Sequence, residues 1–183
     1  MTPSAARLLT VEPRVILRSP VPSDREEFLT LVHESRRLHR GWTTPPSDAR
    51  KFVQFLRRAG RPTVETLFAC EESTNAIVGV FDLSQIFFGN FKSAYLGYYA
   101  HVSYAGRGYM TEGMGLVLRH AFTKIGLHRV EANIQPDNRR SIRLAERCRF
   151  RKEGFSRRYL KIAGRWRDHE RWAITVEDWR ARG

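Results

Sequence analysis

Apolar positions along this chain change spacing in a way that separates strands from helices. A short strand at Val15–Arg18 is followed by Pro22, Ser23 and Asp24, a helix-start signal, and then by Phe28, Leu31, Val32 and Leu38 at helical spacing, which predicts a first helix. The stretch 41–46 (GWTTPP) cannot be helical throughout, because Pro45 and Pro46 lack N–H donors. Ser47 is then expected to cap a second helix carrying Phe52, Phe55 and Leu56. Residues 66–71, 76–87 around Gly79, and 93–101 read as three strands of an antiparallel meander, the first two joined by a Ser73, Thr74, Asn75 turn. After Gly108 the apolar residues Met114, Val117, Leu118, Ala121, Phe122 and Ile125 recur every one, three or four positions, the stripe of a single helix face. A strand at 128–135, a helix at 139–147 and two strands meeting at Ala163 and Gly164 complete an α+β reading. Residues 14–183 form one domain in this reading and residues 1–13 a tail.

Composition narrows the picture. With 183 residues, 42% of them apolar and 11% aromatic, the chain can build one core and is too apolar for intrinsic disorder. No apolar run approaches the roughly 20 residues of a bilayer span, and the first nine residues lack the apolar stretch of a secretory signal, so a soluble, cytoplasmic protein is expected. Cys70 and Cys148 are too few for a disulfide scaffold and read as reduced core residues. His33, His39, His101, His120, His128 and His169 show no metal-ligand spacing, and no metal is expected. Charge is the loudest feature: 32 basic against 19 acidic residues give +13, and residues 137–171 are especially arginine-rich. Such a field attracts phosphates and nucleic acid and repels polycations.

The chemistry concentrates where the strand ending near His101 runs through Val102-Ser-Tyr-Ala-Gly-Arg-Gly108 into the long helix. A strand, glycine turn and helix start make an anion cradle, because the first backbone N–H groups of a helix have no intrahelical partner and sit at its positive end. Gly106 and Gly108 let that backbone approach a phosphate. Neither the G-x-G-x-x-G dinucleotide fingerprint nor the P-loop ending Gly-Lys-Ser/Thr is present.

The segment AGRGYMTEG resembles the pyrophosphate loop of GNAT acyltransferases (Gln/Arg-x-x-Gly-x-Gly/Ala), with Gly108 at the central glycine. It departs from that pattern at Ala105 and Met110. Downstream, HRVEANIQPDNRRSIRLAERCRFRKEGF and YLKIAGRWRDHERWAI resemble the RimJ/RimL subfamily, through Asn138 and Ser141 of an Asn-x-x-Ser motif and through Gly164, Trp166 and Asp168 of a Gly-x-Trp-x-Asp turn. The resemblance implies a twisted, mostly antiparallel mixed sheet flanked by helices and splayed between strands four and five, with acetyl-CoA in the gap. It implies that the backbone of Ala105, Gly106, Arg107, Gly108, Tyr109 and Met110 holds the pyrophosphate. Ala100, His101 and Val102 would pair with the pantetheine arm, and Asn138 would contact it.

The implied reaction is direct attack of an amine on the thioester through a tetrahedral oxyanion. An α-amine, with a pKa of about 7.7–8.0, is partly neutral near pH 7, whereas Lys at about 10.4 is almost wholly charged, so N-terminal acetylation needs little help from a base. Glu131 and Glu112 are the candidate carboxylates. Glu112 in the first helical turn also reads as dipole compensation, and Glu131 as a strand charge paired with an arginine. Ser141 is the candidate acid for the leaving thiolate, or else a first-turn residue behind an Asn138 cap. Trp42, Trp166 and Asp168 are acceptor-binding candidates, set against core tryptophans and an Asp168 ion pair with Arg167 or Arg171. The resemblance points to the N-terminal alanine, or a similar small residue, of a ribosomal protein as acceptor, with ribosomal RNA contact through the basic C-terminal region. A small-molecule amine as acceptor, and an RNA-binding module using Arg139, Arg140, Arg143, Arg147 and Arg151, are the alternatives.

Overall fold

A computed structural model describes residues 13–181; the expected tail, apart from Pro13, lies outside them. The strands are β1 (Val15–Arg18), β2 (Val64–Glu71), β3 (Ile77–Phe87), β4 (Ser93–Ala100), β5 (Arg129–Ile134), β6 (Arg151–Ile162) and β7 (Arg165–Thr175). The helices are α1 (Arg25–Glu34), α2 (Arg36–His39), α3 (Ala49–Ala59), α4 (Tyr109–His120), α5 (Arg139–Arg147) and α6 (Val176–Arg180). One seven-stranded sheet runs in the order β1-β2-β3-β4-β5-β7-β6, and every pairing is antiparallel except β4 with β5. The mixed, mostly antiparallel α+β architecture and the meander of β2, β3 and β4 match the sequence reading.

Each face of the sheet has its own core. On one, Met114, Val117 and Leu118 of α4 and Leu144 and Ala145 of α5 pack on Phe81, Leu96, Val130 and Ile134. On the other, Phe28 of α1 and Phe52 of α3 meet Phe68 and Val80. The Phe28 and Phe68 rings stack with centroids 5.6 Å apart. Val130, Ala132 and Ile134 therefore face α4, and the alternation of a strand sends Glu131 and Asn133 to the face of α1 and α3.

Three local expectations are corrected. The first helix is two pieces, because Ser35, 1% exposed, breaks from helical geometry and its hydroxyl accepts the Val102 N–H at 3.0 Å. The cap of α3 is Asp48 rather than Ser47: the Asp48 carboxylate accepts the Lys51 N–H at 2.8 Å, and the Ser47 hydroxyl accepts from the Lys51 ammonium instead. The apolar stripe after Gly108 reaches Ile125, but its last five residues, Ala121–Ile125, form a wider π turn that ends at left-handed Gly126. Cys70 and Cys148 are buried and free of disulfides, as expected.

Candidate active site

The parallel pair β4 and β5 is short. Only Ser93, Ala94 and Tyr95 are in register with Arg129, Val130 and Glu131, and beyond them the strands diverge. The His101 N–H donates to the Val78 carbonyl at 2.8 Å, so odd-numbered residues of β4 turn their backbone groups toward β3. Leu96, Tyr98 and Ala100 consequently present theirs to the gap. A cleft of about 1310 Å³ fills it, walled by Leu96–Ala100 and 132–135 of the two strands and closed by the glycine turn, the start of α5, Trp42, and Leu160, Ile162 and His169 of the terminal hairpin.

The glycine turn forms a sharper cradle than its sequence suggests. The Ala105 N–H donates to the Val102 carbonyl (3.3 Å) and the Arg107 N–H to the Tyr104 carbonyl (3.4 Å), which folds the loop on itself. Gly106 (φ 80°) and Gly108 (φ 91°, the N-cap of α4) take left-handed conformations that favour glycine. Among the described residues, the N–H groups of Gly106, Gly108, Tyr109 and Met110 have no hydrogen-bond partner, so four donors are free at the positive end of a 12-residue helix. The Tyr109 side chain turns away: its hydroxyl donates to Glu71 at 2.7 Å, holding that carboxyl below its usual range, and Arg14 lies over its ring. Met110 stands where the resemblance expects Gly or Ala, and Gly79 of β3 makes room for it. A Cβ at Gly79 would come within 2.5 Å of the Met110 sulfur.

Across the gap, the Asn138 carboxamide oxygen caps α5 by accepting the Ser141 N–H at 3.3 Å. The buried Tyr98 hydroxyl donates to the Ser141 carbonyl at 3.1 Å, and burial pushes this phenol above its ordinary range. Tyr98 thus straps β4 to α5, while the Ser141 hydroxyl is left to the cleft. Arg139, Arg140, Arg143 and Arg147 also line this wall. On the opposite side, Gln135 donates to the Gly41 carbonyl at 2.8 Å and holds the Trp42 loop against the end of β5. His39 donates through Nε2 to the Ala100 carbonyl at 2.8 Å, and its burial lowers its pKa, so it is neutral at pH 7.

Of the residues singled out by sequence, Trp42, Ala100, Ala105, Gly106, Gly108, Met110, Glu112, Asn138 and Ser141 meet in the cleft. Arg139, Arg140, Arg143 and Arg147 join them there, while the remaining catalytic, cofactor and acceptor candidates do not line it. The His101 and Val102 N–H groups are engaged by Val78 and Ser35, and the Arg107 N–H by Tyr104. Tyr109 contributes backbone only. Glu131 sits at the closed end of the split, its carboxylate accepting from Arg129 at 2.9 Å. Glu112 pairs with Arg14. Trp166 is 61% exposed near the hairpin tip, and Asp168 accepts the Arg158 N–H at 2.7 Å, bridging an irregularity in β6 rather than pairing with Arg167 or Arg171. Sequence reasoning missed Tyr98, His39, Asn133, Gln135 and His169. The alternation of β4 and β5 was visible, but which strand edge faces a gap depends on the sheet order.

Among the described residues no helix is long and apolar enough to cross a membrane, and no group of His, Cys, Asp or Glu is placed to hold a metal. A sheet opened between parallel strands four and five, with a glycine-capped helix pointing its free amides into the opening, defines an acyl-CoA N-acyltransferase. The Acetyltransferase (GNAT) domain matches residues 14–151, and the chain belongs to that family. It is an acetyl-CoA-dependent N-acetyltransferase, with acetyl-CoA as cosubstrate. It is 34% identical over 85% of its length, and 91% of the relative's, to the Bacillus subtilis (strain 168) protein named "Probable N-acetyltransferase YjcK". It is 40% identical to the [Ribosomal protein uS5]-alanine N-acetyltransferase of Escherichia coli (strain K12) over 56% of this chain, which spans about half (53%) of that relative. Among solved structures, Mycobacterium smegmatis RimJ in complex with CoA-disulfide superposes with a TM-score of 0.83 at 27% identity, covering 90% of this chain and 83% of that one.

Proposed function

We propose that this enzyme acetylates the α-amine of a protein N-terminus, with alanine or another small residue first and a ribosomal protein as the acceptor. The observation that carries the reading is the charge of the cleft. Its acidic lining residues are Glu112, paired with Arg14, and Asp137, against Arg37, Arg139, Arg140, Arg143 and Arg147. A polyamine would meet net positive charge there, whereas an N-terminal amine of pKa about 8 needs neither a carboxylate cage nor a strong base. The relationship to the uS5-alanine enzyme supports the same acceptor. An acceptor made on the ribosome would also put the enzyme in the cytoplasm.

In this reading the free N–H groups of Gly106, Gly108, Tyr109 and Met110 hold the pyrophosphate, with the Ala105 and Arg107 amides shaping the loop. The gap-facing edge of Tyr98 and Ala100 and the Asn138 side chain hold the pantetheine arm. That edge supplies an N–H for the developing oxyanion, Ser141 donates a proton to the departing thiolate, and Trp42 borders the acceptor. The acetyl donor supplies an activated thioester carbonyl. Arg139, Arg140, Arg143 and Arg147 serve the cleft, so ribosomal RNA contact draws no support from them.

The test is a panel of short peptides differing only in the first residue, assayed for CoA release. Preference for Ala or Ser supports the proposal. Indifference to every peptide, with turnover of a small carboxylate-bearing amine, would replace it by the small-amine reading, which the lining arginines would favour.

A further inference from the structure

His169 of β7 plays no part in the chemistry so far, yet it is 3% exposed and lines the cleft. Its Nδ1 lies 3.0 Å from the Arg167 carbonyl. A carbonyl only accepts, so Nδ1 carries the proton and Nε2 keeps its lone pair. Among the described residues Nε2 has no hydrogen-bond partner, and it is not among the buried polar atoms cut off from solvent space, so it opens to the cleft.

The register places it on the acceptor side. β5 and β7 pair Asn133 with Arg171 and Ile134 with Glu170, and one step further sets His169 opposite Gln135. His169, Asn133 and Gln135 therefore share the sheet face turned away from α4, the face to which Gln135 ties the Trp42 loop. Asn133 lines the same cleft, but its carboxamide oxygen is cut off from solvent space. Of these acceptors, His169 Nε2 is thus the one open to an incoming ammonium group.

We propose that His169 Nε2 takes the proton of the incoming acceptor ammonium. The inference rests on the amine-acetylation reading above and replaces Glu131 as proton acceptor. One N–H proton passes to Nε2, and the freed nitrogen pair forms a C–N bond at the thioester carbonyl. The C–S bond then breaks, and the sulfur takes a proton back from the new amide nitrogen, directly or through Ser141. The proton on Nε2 leaves to solvent, so each turnover releases one proton. The surroundings keep the imidazole neutral and ready to accept. Burial lowers its pKa against the opposing pull of the Arg167 carbonyl and the Asp168 charge. From β6 it meets the edge-on Tyr159 ring, 6.1 Å between centroids, and Ser156. From β5 it faces uncharged Gln135 and Asn133, and on β7 its neighbours in alternation include Arg171.

Two measurements on the full chain test this. Imidazole ¹⁵N shifts at pH 7.5 should show the Nδ1–H tautomer at His169; an imidazolium or an Nε2–H tautomer would overturn the proposal whatever the acceptor. His169→Gln, checked for folding by CoA affinity within about threefold of wild type, should lose about 100-fold in kcat at pH 7 and less above the amine pKa. A His169→Gln enzyme with wild-type kcat and pH profile would refute the role. If wild type acetylates no N-terminal peptide, the acceptor assignment falls instead, and the tautomer measurement, with the variant assayed on whatever amine is turned over, still decides His169.

Discussion

Replacing Gly113 by alanine sets two known effects against each other on the helix that presents the cradle. Gly113 lies inside α4, where alanine gains about 0.8–1.0 kcal/mol in helix propensity. Its new Cβ, however, would stand 2.8 Å from Phe81 Cε2 and 3.3 Å from both Phe81 Cζ and the Ala69 Cβ. Phe81 is fully buried in the middle of β3 and packed beside Tyr98, so its ring has nowhere to go. Overpacking of this kind costs about 1–3 kcal/mol and outweighs the propensity gain. The expected net loss is up to about 2 kcal/mol, a drop of up to roughly 8 °C in Tm for a domain of this size. Because α4 begins at Gly108, lifting it from the sheet also carries the Tyr109 and Met110 amides away, and CoA affinity should fall about tenfold, the worth of one charge-assisted hydrogen bond. Calorimetric melts with titrations of CoA measure both. Adding Phe81→Leu should offset part of the damage, so the double variant is less unstable than the two single losses added together. A Gly113→Ala protein that melts higher than wild type, or strict additivity with Phe81→Leu, would refute the packing argument.

Further expectations follow from the same geometry. Gly108→Val forces a β-branched residue to φ 91° with its Cβ near Arg14, costing about 1–2 kcal/mol and abolishing detectable CoA binding in calorimetry, while circular dichroism stays near native. Asn138→Ala removes the α5 cap and lowers stability by about 1 kcal/mol in urea unfolding, and Asn138→Asp restores it. His39 and His169 are both buried with pKa values held below the ordinary 6.5, so the unfolded chain binds more protons as the pH drops. Their contribution is present above pH 6.5 and is lost as pH falls toward the depressed folded values. Tm should decline between pH 7.5 and 5.5, and a His39→Gln, His169→Gln double variant should show a flatter curve. Gln135→Leu frees the Trp42 loop and should raise the acceptor KM in steady-state assays while leaving CoA affinity unchanged.

What the linear chain decided is local. The apolar spacing of Met114, Val117 and Leu118 makes a helix wherever it is placed, the meander follows from strands separated by short turns, and Gly106 and Gly108 carry the left-handed freedom that the cradle needs. These depend on neighbours a few residues apart, so capping, periodicity and turn chemistry suffice to read them. Even here Asp48 displaced Ser47 as a cap, because two adjacent residues can both accept and only the folded loop selects one. The acceptor side was closed to such reading. Whether Tyr98 or Tyr99 faces the gap, whether Glu131 meets substrate or Arg129, and whether His169 is a core imidazole or a lining one depend on β5 lying between β4 and β7. Apart from Arg129 and Glu131, two positions apart on one strand, the cross-strand and loop partners that shape this side lie far apart in the chain, as with Gln135 and Gly41 or Asn133 and Arg171. Only the closing of the sheet brings them together, and a one-residue change of register would send each of these side chains to the opposite face.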